Sequence, residues 1–121
     1  MKSTLDIGNQ GEQLAKDYLV QKGYKILHSN WRYQKAEVDI IAETQQFIVF
    51  VEVKTRAANR ILEPEQAVDA KKQQLLITAA NGYCETFDVE KELRFDVVSV
   101  ILNPNQPPEI THIEEAFYPM I

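Results

Sequence analysis

The chain has 121 residues and no Gly/Ser/Pro-rich linker, which gives enough length for one hydrophobic core and too little for two, so one domain over residues 1–121 is expected. Its single cysteine, Cys84, excludes an internal disulfide and a cysteine-built zinc cage, and fits a reducing compartment. The net charge of -5 argues against coating nucleic acid by bulk charge, but the acidity is uneven: 11 Lys+Arg face 10 Asp+Glu over residues 1–80, against 2 and 8 over 81–121.

Met1 to Asp6 lack a signal-peptide apolar region, and no apolar run approaches the roughly 20 residues that span a bilayer, so a cytoplasmic chain without a membrane partner is expected. Residues 7–22 read as a helix. Ile7, Gly11, Leu14, Ala15, Tyr18 and Leu19 recur at helical spacing, and Gly23 stands where a left-handed residue ends a helix. Glu12 lies at the edge of that apolar face, in one row with Gly8, Ala15 and Leu19, and Lys16 four residues on offers it an ordinary surface partner.

Tyr24 to Tyr33 follows as a strand that enters a loop at Gln34-Lys35-Ala36. Trp31-Arg32-Tyr33 sets aromatics on both sides of a cation, as a base-stacking platform does, although alternating aromatics more often form the core face of a strand, and that reading is preferred. His28 and His112 have no second His or Cys at ligand spacing and read as structural or solvent-facing.

The centre of the chain carries the chemistry. Val38-Asp39-Ile40-Ile41-Ala42 is a short apolar strand holding one carboxylate, and Glu43-Thr44-Gln45-Gln46 is short enough for an antiparallel hairpin. The next run, Phe47-Ile48-Val49-Phe50-Val51, is apolar at consecutive positions, as in a strand covered on both faces, yet it continues into Glu52 and Lys54. Alternation puts Glu52 and Lys54 on one face and Val51 and Val53 on the other, and the hairpin brings Asp39 toward the Glu52 end. Ionised carboxylates in such a place need a partner, and Mg²⁺ or Mn²⁺ suits oxygen ligands while keeping waters that can be activated. Lys54 would then orient or deprotonate a water, or offset charge on a phosphoryl group.

Ala57 to Glu63 is a loop with basic Arg60, suited to contact a substrate. Pro64, at a first helical position, opens a helix through about Ala80, with Val68, Leu75, Leu76 and Ala79 inward and Lys71 and Lys72 on the flanks of that face. Asn81-Gly82 ends it, and Glu85 to Glu92 is a connection or an extra turn. Leu93 to Ile101 is a strand, most simply parallel to the Glu52 strand through a right-handed crossover, with Arg94 and Asp96 paired on one face for structural reasons. After the Asn103 to Pro108 loop, Glu109 to Ile113 forms an edge strand. The apolar tail from Ala116 to Ile121 must bury on this domain or across a homodimer interface. The order is α/β, α-β-β-β-α-β with a further β, and Arg32, Lys35, Lys54, Arg56, Arg60, Lys71 and Lys72 supply either a phosphate-facing patch or a mixed solvating surface.

Asp39 followed by Glu52-Val53-Lys54 resembles the Asp…(Asp/Glu)-x-Lys pattern of restriction-endonuclease-like nucleases, PD-(D/E)XK. Nearly end to end the chain resembles the uncharacterised bacterial YraN-type family, itself similar to archaeal-type Holliday-junction resolvases. The shared pieces are Gly11-Glu12, Gly23-Tyr24, Asn30, Glu37 to Ala42, Phe50 to Arg56, Lys71, Arg94 to Val98, His112-Ile113 and Ala116-Phe117, while Ala36 stands where the family commonly has Gly. The resemblance implies a restriction-endonuclease-like fold with a mixed central sheet, and a metal-dependent DNA endonuclease with branched or junction DNA as substrate. It assigns Asp39, Glu52, the Val53 carbonyl and Glu12 to the metal and Lys54 to catalysis. It also implies phosphate contacts from Arg56 and Lys71, beside Arg32, Lys35 and Arg60. The alternative keeps the fold as a non-catalytic nucleic-acid- or protein-binding module, with Asp39, Glu52 and Lys54 as a buried ion cluster.

Overall fold

The computed structural model describes residues 4–57 and 68–119. They form α1 (Thr4–Gln21), β1 (Lys25–Tyr33), β2 (Ala36–Glu43), β3 (Phe47–Ala57), α2 (Ala70–Phe87), β4 (Glu92–Leu102) and β5 (Glu109–Phe117). The five strands make one open mixed sheet in chain order, β1-β2-β3-β4-β5. Every pairing is antiparallel except β3 with β4, which run parallel from Phe47 opposite Glu92 to Ala57 opposite Leu102. The anticipated element order and the parallel crossover pair are both present.

A core lies on each face of the sheet. Ala15 and Leu19 of α1 pack with Ile40, Val49, Val51 and Val98 on one side. Leu76, Ala79 and Tyr83 of α2 pack with Val38, Ile41, Phe50 and Phe95 on the other. Because β3 is covered by both helices, its positions Ile48 to Val51 are all buried, which is the physical reason for its unbroken apolar run. Helix α1 ends as its glycine predicts. Gly23 adopts φ 101°, its N–H donates to Val20, and the Tyr24 N–H reaches back to Leu19 at 2.9 Å, so the last carbonyls of the helix are satisfied.

Helix α2 differs from the expectation at its end. It runs through Asn81-Gly82 to Phe87 and is capped by Asp88, which takes the left-handed conformation at φ 51° and donates its N–H to the Cys84 carbonyl. Gly82 is helical, and a Cβ there would collide with the Tyr33 ring, so the glycine serves close packing of α2 on β1 and not a stop. At the other end Asp69 caps the helix, its side chain accepting the Lys72 N–H at 2.8 Å. Pro64 lies outside the described residues, but the helix begins later than expected: Val68, anticipated as an inward helical position, is buried ahead of the Asp69 cap and not in the helix.

The C-terminal strand is also longer than expected. β5 extends past Ile113 to Phe117 by a bulge, with Glu115 at φ 50°, and Phe117 stacks on Phe95 with ring centroids 5.0 Å apart. The described tail therefore buries on its own sheet as far as Phe117. The bulge is held by Asp96, fully buried, which accepts from Arg94 Nε at 2.9 Å and Nη2 at 2.8 Å and from the Glu115 N–H at 3.1 Å, and lies 2.7 Å from His112 Nε2. The Arg94–Asp96 pair and His112 are thus structural, as read, and His28 packs edge-on against the Tyr83 ring. Among the described residues no helix is long and apolar enough to cross a membrane.

Candidate functional site

The β2–β3 ladder runs from Glu43 opposite Ile48 to Ile40 opposite Val51 and stops there. One residue beyond, the Asp39 side chain enters the gap between the strands and its Oδ2 accepts the Val53 N–H at 2.8 Å. A carboxylate thus replaces the backbone partner that a continued ladder would supply, and it lies in the plane of the sheet where both faces can reach it.

Alternation along β3 sets what each face offers. Val51 and Val53 join the core beneath α1, and Glu52 points to the α2 face. The Glu52 carboxyl is within hydrogen-bonding reach of Asp39. Burial first, and then the Asp39 charge, push Glu52 up to about 7. Burial raises Asp39 too, against the Val53 N–H and the Glu52 hydrogen bond. Glu52 Oε1 is buried without a hydrogen-bond partner, and Lys72 Nζ on α2 stands 3.7 Å away.

From the α1 face Glu12 approaches. Gly11 makes this possible, since a Cβ at that position would overlap the Thr55 side chain and push the helix off β3. Glu12 is raised by burial and then by Asp39 and Glu37, while the Asn30 amide hydrogen-bonds to it and lowers it. Asn30 takes φ 51°, a conformation that Asn tolerates better than most residues. Lys16, the anticipated surface partner, hydrogen-bonds Ser29 at 3.3 Å and affects Glu12 least of the named neighbours. Glu12, Asn30, Glu37, Asp39, Val53 and Thr55 line an open cleft of about 580 Å³ together with Arg32 and residues 7–9 of α1.

The fold therefore brings together Asp39, Glu52, Val53 and, across the cleft, Glu12. Lys54 lies on β3 two residues beyond Glu52 and lowers its pKa, and Arg56 follows at the same alternation. Lys71 is exposed on α2, and its neighbour Lys72 is the one that reaches Glu52. Arg32 is exposed and pairs with Glu37 at 3.3 Å, and Lys35 is exposed in the β1–β2 turn. Arg60 lies outside the described residues.

Glu37 and Asn30 carry no role that the sequence pattern assigns, and only the alternation of Glu37 with Asp39 hints at a shared face. Of the two flanking lysines, helical phase alone does not say which reaches Glu52, and the structure makes it Lys72. Among the described residues no three His, Cys, Asp or Glu side chains converge closely enough to hold a metal ion. The donors that do meet, Asp39 and Glu52, still fit Mg²⁺ or Mn²⁺. They are hard oxygens, one of them is buried without a hydrogen bond, and such an ion needs only one or two carboxylates besides water.

The family model described as "Uncharacterised protein family UPF0102" matches residues 11–100, a span that contains Glu12, Asp39, Glu52, Lys54 and Lys72. A UPF0102 protein of Parabacteroides distasonis is 43% identical over 113 residues, covering 93% of each chain. One from Flavobacterium psychrophilum is also 43% identical, over 93% of this chain and 94% of its own. One from Thermodesulfovibrio yellowstonii is 42% identical over 94% and 97% respectively.

Proposed function

The chain belongs to the UPF0102 family, whose description names no activity, and we propose from the chemistry of the site that it is a metal-dependent endonuclease hydrolysing phosphodiester bonds in DNA. The observation that carries this reading is the meeting of Asp39 and Glu52 where β2 and β3 part, with Lys54 beside Glu52 on β3. The α-β-β-β-α-β order and the Asp39…Glu52-Val53-Lys54 pattern support a restriction-endonuclease-like core for it.

Asp39, Glu52 and the Val53 carbonyl would hold Mg²⁺ or Mn²⁺, with Glu12 across the cleft. When bound, such an ion polarises a phosphoryl oxygen and lowers the pKa of its water. The Val53 N–H keeps the Asp39 carboxylate in one orientation, so the donor is preorganised. Lys54 offsets negative charge on the phosphoryl oxygens, and Arg56 continues that cationic edge along β3. These groups address the backbone and not base edges, which makes branched, flapped or junction DNA the substrate class to test first, in a cytoplasmic setting.

The Lys72–Glu52 ion pair favours a second reading, a binding module whose carboxylates are neutralised by lysine. Calorimetric Mn²⁺ titration and cleavage assays on junction, flap and single-stranded DNA, with Asp39→Asn as control, decide between them. Mn²⁺ binding together with metal-dependent nicking that Asp39→Asn abolishes is the expected result. An absence of both would leave the binding module.

A further inference from the structure

We infer that Lys72 is an exchangeable counter-ion: it neutralises the buried Oε1 of Glu52 in the metal-free protein and releases that oxygen on metal binding, its ammonium then turning to a phosphate oxygen of the substrate. This rests on the metal-dependent reading above and adds to it a lysine from α2 that couples metal binding to phosphate binding.

The contact has the properties that exchange needs. At 3.7 Å the Lys72–Glu52 approach is an ion pair without a hydrogen bond, so Oε1 is offset in charge but left with unused lone pairs. The Glu52 side chain is only 13% exposed, whereas that of Lys72 is 37% exposed, so the lysine can leave toward solvent and the carboxylate cannot. Release costs no backbone change. Lys72 sits in the first turn of α2, where its N–H is fixed by the Asp69 cap at 2.8 Å, and only its flexible stem must swing. A divalent cation on Oε1 would repel the ammonium held close to the same oxygen, so the two compete. The ammonium displaced from Oε1 gives up that contact, and Lys54 and Arg56 follow Glu52 on the same face of β3 by alternation.

Competition gives an outcome opposite to that of a lysine that merely orients Glu52. The test is calorimetric titration of Mn²⁺ alone into the wild-type protein, Lys72→Met, Lys72→Gln and Lys25→Met, after thermal melts confirm folding. Lys25, exposed at the start of β1 and paired across from Glu43 at the other end of the hairpin, controls for a change in net charge. Both Lys72 variants should bind Mn²⁺ about three- to ten-fold more tightly than wild type, and Lys25→Met should stay within about two-fold. With Ca²⁺ to prevent cleavage, the gain in affinity that the ion confers on a fluorescent single-stranded oligonucleotide should shrink in the Lys72 variants. Equal or weaker Mn²⁺ binding by the Lys72 variants, or an equal rise in Lys25→Met, overturns the counter-ion role while leaving the metal site standing. A wild-type protein that takes up no Mn²⁺ overturns both.

Discussion

Asp39 and Val53 are joined across the sheet by a carboxylate-to-backbone hydrogen bond of 2.8 Å, at the point where the β2–β3 ladder gives out. That bond fixes an acidic group in the gap, and the remaining site residues arrive from the two faces around it. Glu52 comes from the α2 side and Glu12 from the α1 side.

Relieving the crowding of carboxylates should stabilise the metal-free protein. Glu52→Gln keeps the side chain's shape, offers an amide donor to Asp39 and removes a charge that burial and Asp39 both disfavour. In buffer with chelator at pH 8, a gain of about 1–2 kcal/mol in urea unfolding is expected, with little difference at pH 5, where Glu52 is protonated in the wild type. An equal loss of stability at both pH values would contradict the assignment.

The wild-type protein should show two pH windows. Glu52 titrates near 7 when folded and near 4.5 when unfolded, so the folded state binds the extra proton between these values and metal-free stability falls as pH rises through them. The loss is at most about 3 kcal/mol from pH 4.5 to 7.5. Asp96 acts in the opposite sense: burial works to raise its pKa, but hydrogen bonds from His112, Arg94 and the Glu115 N–H outweigh it and hold the carboxyl below its usual range. Its contribution is present above pH 4 and is lost on further acidification. Chemical denaturation from pH 3 to 8 with chelator should therefore give a maximum near pH 4.5–5, and a steady rise toward pH 7 would count against the Glu52 environment.

Gly11→Ala should damage both fold and site. The added methyl meets Thr55, so α1 must lift from β3, at a cost of about 1–3 kcal/mol, and Glu12 moves away from Asp39. Thermal melting reads the first effect and Mn²⁺ calorimetry the second. The double change Gly11→Ala with Thr55→Ala should recover part of each.

Removing Asp96 should cost stability without touching the cleft. Asp96→Ala leaves the buried Arg94 guanidinium with only half-exposed Glu114 and the Tyr24 hydroxyl and frees the Glu115 bulge, and about 2–4 kcal/mol is expected. Urea unfolding measures the loss, and Mn²⁺ affinity of the folded fraction, whose site lies on β2 and β3, should hold within about two-fold.

Much of this was written along the chain. The run Phe47 to Val51 disclosed a doubly covered strand, period two split Glu52 from Val51 and Val53, and Gly23 marked the end of α1, because each depends on local alternation or on one residue's backbone freedom. What local pattern cannot carry is distance between segments. Whether Asn81-Gly82 stopped a helix depended on Tyr33 lying against it, and the choice of Lys72 over Lys71 depended on which lysine α2, once docked on the sheet, brings to Glu52. The place of Asp39 in the gap, and the approach of Asn30 and Glu12 to it, likewise came from the β2–β3 ladder ending where it does and from Gly11 admitting α1 so close. Those are properties of packing, settled by which side chains must avoid one another once both faces of the sheet are covered.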